Sequence, residues 1–133
     1  MRVGQFSVTG RLTGPTGLSE EVELLVDTGA TLLVLPRSLA ARLEVAPRRF
    51  QRVRLAGGSR EVWPVGEVRF SLEGREVTTP CFIAPKGPPL LGAVALESLF
   101  LAVDPVTQRL VPVDGLAMPA RVRVDRPAAS VLG

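Results

Sequence analysis

The chain contains no histidine and no tyrosine, one cysteine, one tryptophan and, among 16 basic residues, a single lysine, Lys86. Without histidine there can be no Ser-His or Cys-His nucleophile and no histidine-ligated metal. With Cys81 alone no internal disulfide can form, and no cluster of metal ligands surrounds it, so neither a metal nor any other cofactor is expected. Cys81 reads as a small buried apolar residue. No apolar run reaches the length of a membrane span, and the first eight residues lack the apolar core of a signal peptide. A soluble cytoplasmic protein without membrane contact is the expectation. Carboxylates remain as the best acid-base groups in the chain.

What is present fits one domain. A length of 133 residues allows a single real core, not two. Hydrophobic residues make up 46% and charged residues 22%, the balance of a folded globular chain. Thirteen glycines and twelve prolines are spread along it, as suits short strands joined by tight turns. The net charge of +3 permits weak association with anionic surfaces, but the 13 acidic residues are interspersed, and nucleic acid is not the expected partner. Alternation makes the arginines of the run Arg48, Arg49, Arg52 and Arg54 a solvated strand face, paired with Glu61.

Periodicity predicts a short strand over residues 3–8, a loop or wide turn over 10–17, and a strand over 21–26 that begins by alternating and ends fully apolar. Asp27-Thr28-Gly29-Ala30 forms a turn, and residues 31–35 read as a second buried strand. Pro36 opens a short helix with Leu39 and Leu43 four apart. Residues 49–55 and 61–65 form a hairpin around Ala56-Gly57-Gly58-Ser59. Residues 67–72 and 77–83 form another, with Pro80 marking an edge or a bulge. Leu90-Leu91-Gly92 leads into a second helix over 93–100, with Leu96, Leu99 and Phe100 in the core. A last hairpin joins 101–103 to 109–113. Residues 1–115 are expected to make the domain, and 116–133 a basic tail, either flexible or forming one extra strand.

Asp27 is the position that needs explaining, because a charge at the end of an apolar strand is costly unless it is hydrogen-bonded or titrates. Asp27-Thr28-Gly29-Ala30 behind an apolar strand resembles the active-site signature of retroviral-type (retropepsin-like) aspartic proteases. The resemblance continues through Ala56-Gly57-Gly58-Ser59, in the place of the flap, and Leu90-Leu91-Gly92 with its helix, and so covers roughly residues 3–113. It looks closer to prokaryotic relatives of that fold than to the viral enzymes. The resemblance implies an all-β chain, a small closed β-barrel with one or two short helices. It further implies a homodimer hydrolysing a peptide or protein substrate. Asp27 would be catalytic, and Thr28, Gly29 and Ala30 would shape the site, Thr28 across the two-fold axis. The chain has one Asp-Thr-Gly, since Asp104, Asp114 and Asp125 lack it, so the second carboxylate would be Asp27 of another copy. Trp63 and Leu91 are candidates for the substrate pocket.

Two departures stand out. Where viral members carry a charged pair bracing the dimer, this chain has Thr31-Leu32 and Ala93-Val94. With no tyrosine there is also no pepsin-like flap tyrosine. The alternative reading is therefore a non-catalytic module of the same fold, binding an extended peptide or partner protein in its cleft by strand addition.

Overall fold

The computed structural model describes residues 5–117. Met118 onward, most of the expected tail, lies outside the described residues. Strands dominate, and two six-residue helices interrupt them.

The chain begins with an antiparallel pair, β1 (Ser7–Thr13) and β2 (Ser19–Val26). In β2 the alternation is plain: Val22, Leu24 and Val26 are buried while Glu21 and Glu23 are exposed. β1 differs from expectation, running on through Gly10, which had read as the start of a loop, so that the connection shrinks to a turn ending in the Gly14–Leu18 hydrogen bond. The reason is a packing one. A Cβ on Gly10 would lie 2.5 Å from the ring of Phe70, so this glycine admits a neighbour instead of breaking a strand.

β3 (Leu33–Pro36) is wholly apolar and leads into α1 (Arg37–Arg42), with Pro36 at its N-terminus at φ −66°, an angle that suits helix entry. The expected strand start at Thr31 is a bend instead. Next come β4 (Arg49–Arg54) and β5 (Arg60–Leu72). The two strands expected at 61–65 and 67–72 are thus one, passing straight through Gly66. Its outer part pairs with β4, and from Val65 onward it pairs with β6 (Arg75–Ala84). Pro80 sits where β6 has only β5 beside it, since pairing with β3 begins at Cys81, so the missing N–H costs nothing on the free side.

β7 (Leu90–Leu91) inserts between β2 and β3, and α2 (Ala93–Ser98) follows. The hairpin of β8 (Leu101–Asp104) and β9 (Arg109–Pro112) forms a separate small sheet. The main sheet runs β1-β2-β7-β3-β6-β5-β4, and β1 also pairs with β5 at Arg11–Ser71, Leu12–Phe70 and Thr13–Arg69. The sheet therefore returns on itself, leaving β4 and the outer half of β5 as a projecting arm. Leu12, Leu24, Leu33, Leu35, Val68 and Phe70 fill its interior, with Leu39 of α1 and Leu96 of α2 closing it.

Phe100 does not join that core. The last helical turn closes at Leu99, and Phe100 takes a left-handed backbone at φ 57° that turns its ring outward, half exposed. Leu96 and Leu99 are buried as expected.

Candidate active site

Asp27 stands immediately beyond β2. The parallel register of β2 with β7 brings Leu91 beside it, and the Asp27 N–H donates to the Leu91 carbonyl at 3.0 Å. Its own carbonyl accepts the Ala30 N–H at 3.0 Å, closing the turn. Its carboxylate oxygen Oδ1 accepts the Gly29 N–H at 2.9 Å. This last bond both satisfies and aims the carboxylate, as the tight Asx-type turns of aspartate do. Thr28 is exposed on the single chain, and Gly29 with it, while Ala30 is half-buried.

The turn is fastened from below by the start of α2. The N–H groups of Ala93 and Val94 donate to the carbonyls of Ala30 and Thr31, each at 2.9 Å. Helix N-termini leave such donors unpaired, and here the signature turn uses them. Gly92 permits the approach, because a Cβ there would meet the Ala30 and Leu32 carbonyls. Main-chain bonds within the chain thus tie the Ala30-Thr31 segment to Ala93-Val94, which carry no charged side chains.

Above the turn lies a cleft of about 940 Å³. Asp27, Gly29 and Ala30 line its floor, and Gln51, Leu55 and Ala56 border it from the arm. Trp63 lines its wall, its ring meeting that of Phe82 edge-on at 5.9 Å and 80°. The Trp63 indole N–H donates to Glu61 at 2.9 Å. Glu61 is thereby engaged, and the expected pairing of Glu61 with the arginine run is absent among the described ion pairs. Register explains this: Glu61 faces Val53 across the hairpin, and Arg54 faces Arg60.

The arm ends in a four-residue turn in which Leu55 N–H donates to Ser59 and Gly58 N–H to Leu55, both at 2.8 Å. Gly58 takes φ +94°, a conformation open chiefly to glycine. Residues 56–59 are all exposed, and of them Ala56 lines the cleft.

Leu91 is not a pocket residue. It is wholly buried, and the lining residue is its neighbour Leu90, because successive side chains on a strand face opposite ways. Phe82, Gln5 and Arg49 also line the cleft and were missed. Nothing local marks Phe82 or Gln5 as cleft residues. Among the described residues Asp27 is the sole carboxylate lining the cleft, and no group of three His, Cys, Asp or Glu could hold a metal. No described helix is long and apolar enough to cross a membrane.

A family model described as aspartyl protease matches residues 8–96. The chain belongs to the aspartyl protease family. No curated protein matches it in sequence. Among solved structures, EIAV protease complexed with the inhibitor HBY-793 is similar to this aspartyl protease family member with a TM-score of 0.58 and 21% identity. That match covers 71% of this chain and 88% of the viral one. The solution structure of simian foamy virus (mac) protease is similar at a TM-score of 0.50 and 21% identity, covering 71% and 94%. These likenesses establish the all-β fold of the retroviral protease type and, in a family member of this kind, leave the chemistry to be argued from the site.

Proposed function

We propose that the protein is an aspartic endopeptidase, active as a homodimer, in which the Asp27 carboxylates of two copies hold one water between them. Peptide hydrolysis without a covalent intermediate needs a base to take a proton from water and an acid to give one to the carbonyl oxygen. Two adjacent carboxylates sharing a proton meet both needs, since ionising the first makes ionising the second harder. The water oxygen bonds to the carbonyl carbon, the proton passes to the carboxylate, and the other carboxyl protonates the carbonyl oxygen. As the tetrahedral diol collapses, the C–N bond breaks, the first carboxyl gives its proton to the departing amine, and a diol hydroxyl returns a proton to the second carboxylate.

The observation that carries this reading is the placement of Asp27. Its carboxylate is fixed by the Gly29 N–H on the floor of a cleft of about 940 Å³, beneath a glycine-tipped arm, with no second carboxylate lining the cleft among the described residues. Exposed Thr28 lies on the side a partner would cover, Gly29 and Ala30 keep the floor low, and Ala56-Gly57-Gly58-Ser59 serves as the flap over an extended substrate.

Asp27→Asn tests it, with an expected loss of at least about a hundredfold in the cleavage of any susceptible peptide and little change in stability. Retained full activity would sink the assignment. A second reading, the same fold as a non-catalytic binding module, is favoured by the uncharged Thr31-Leu32 and Ala93-Val94, which offer no charged brace for a dimer. Sedimentation at micromolar concentration separates the two, because a stable monomer cannot assemble the pair.

A further inference from the structure

The arm that borders the cleft is unusually rich in arginine. Arg49, Arg52 and Arg54 of β4 all line the cleft that contains Asp27. Beside it lies a second concavity of about 280 Å³ lined by Arg52, Val53, Arg54 and Arg60, so the two share three residues. β4 is the last strand of the sheet among the described residues, which leaves its outer edge unpaired there. Register sets Arg54 directly opposite Arg60, an arrangement of like charges that destabilises a strand pair when nothing neutralises it. Neither of the ion pairs among the described residues, Arg42–Glu20 and Arg69–Glu76, involves any of these four. Glu61, the carboxylate on the arm, accepts the Trp63 indole N–H and pairs with none of these arginines among the described ion pairs. Arg49, Arg52 and Arg54 thus line the cleft that also holds Asp27, and Arg60 joins Arg52 and Arg54 around the neighbouring concavity.

We propose that this cleft selects extended polypeptides carrying aspartate or glutamate side chains near the segment it holds, with Arg49, Arg52, Arg54 and Arg60 as the residues that recognise them. This rests on the reading of the cleft as the substrate channel. A planar guanidinium binds a carboxylate through two parallel N–H donors, which adds direction to charge. Unpaired arginines on an exposed rim also raise the encounter rate of an acidic chain and relieve their own mutual repulsion on binding. The basic face thereby gains a role that a solvated strand face lacks.

Binding and cleavage are measured separately. Fluorescent extended peptides of one sequence, bearing Glu, the isosteric Gln or Lys at the same positions, are titrated into the Asp27→Asn protein. The Glu peptide is expected to bind about tenfold tighter than the Gln peptide, about 1.4 kcal/mol. That gap closes in about 0.5 M salt, where charges are screened over a few ångströms, and in the double variant R52Q/R54Q. Equal affinity for the three peptides, or a gap untouched by R52Q/R54Q, overturns the proposal. So does tighter binding of a single-stranded oligonucleotide of equal charge, which would make the face a nucleic-acid site. The wild-type dimer is then given the same peptides. Selective binding without cleavage counts against catalysis and leaves the selectivity standing, whereas cleavage of Glu and Gln peptides at equal kcat/KM overturns the selectivity and leaves catalysis standing.

Discussion

A Cβ on Gly92 would stand 2.6 Å from the carbonyl oxygen of Ala30, closer than such atoms approach in real proteins. Sixty-odd residues of chain separate the two, yet the site exists only because they meet. The Ala30 carbonyl takes the Ala93 N–H, so the helix after Gly92 holds the turn that carries Asp27. Gly92→Ala is expected to destabilise the fold by about 1–3 kcal/mol, the usual cost of overpacking. Urea denaturation measures this, and an unchanged midpoint would count against the close approach.

Leu90 and Leu91 should part company under substitution. Leu91 is fully buried and Leu90 lines the cleft. Leu91→Ala should cost about 2–5 kcal/mol of stability, as large-to-small core changes do. Leu90→Ala should cost less and act chiefly on KM for peptide substrates. Thermal unfolding read beside steady-state kinetics shows whether the two effects divide this way.

Activity should fall at alkaline pH. A carboxylate pair works with one proton between its members, and once both ionise the acid is gone. A rate still climbing through alkaline pH would contradict the paired-Asp27 mechanism.

The thiol of Cys81 should be inert in the native protein. Burial pushes its pKa up to about 12, with Glu67 adding to the rise and the Gly66 main chain opposing it, and thiolate is the reactive form. Iodoacetamide at about pH 8, below even an ordinary thiol pKa of about 8.5, should label it only at the rate of unfolding. Rapid labelling of folded protein would place Cys81 elsewhere.

Asp104 ties the last hairpin to pH. Its carboxylate accepts the Val106 N–H at 3.0 Å, with Thr107 also donating, and these bonds hold its pKa below the usual carboxylate value. A lowered folded pKa means stability present above the unfolded value of about 3.9. That contribution is lost as pH drops through the folded value. Amide exchange at Val106 and Thr107 should therefore quicken in acid beyond its intrinsic trend, and Asp104→Ala should abolish that pH dependence.

Much of the local structure was legible because it depends on neighbours in the chain. The alternation of Val22, Leu24 and Val26, the proline opening α1 and the glycine turn at residues 57–58 all follow from short-range sterics and periodicity. What misled was local evidence that a distant contact overrode. Gly10 signals a turn until Phe70 lies where its side chain would be. Phe100 fits the helical spacing of Leu96 and Leu99, but the helix stops one residue too soon for it. Glu61 has arginines on the adjoining strand, but the register hands it to Trp63 instead.

The sequence by itself determined the kind of chemistry available. A chain with no histidine, one cysteine and one Asp-Thr-Gly has carboxylates as its best acid-base groups, and that Asp27 ends an apolar strand is written in residues 24–27. Tertiary structure alone decided what surrounds Asp27: the Leu91 carbonyl that accepts its main-chain N–H, and a cleft whose lining includes Trp63, Phe82 and arginines of β4. Periodicity tells which side of a strand is buried, but strand order and register tell which strands meet. Those are set by the closure of the whole sheet around one core, a property no local stretch contains.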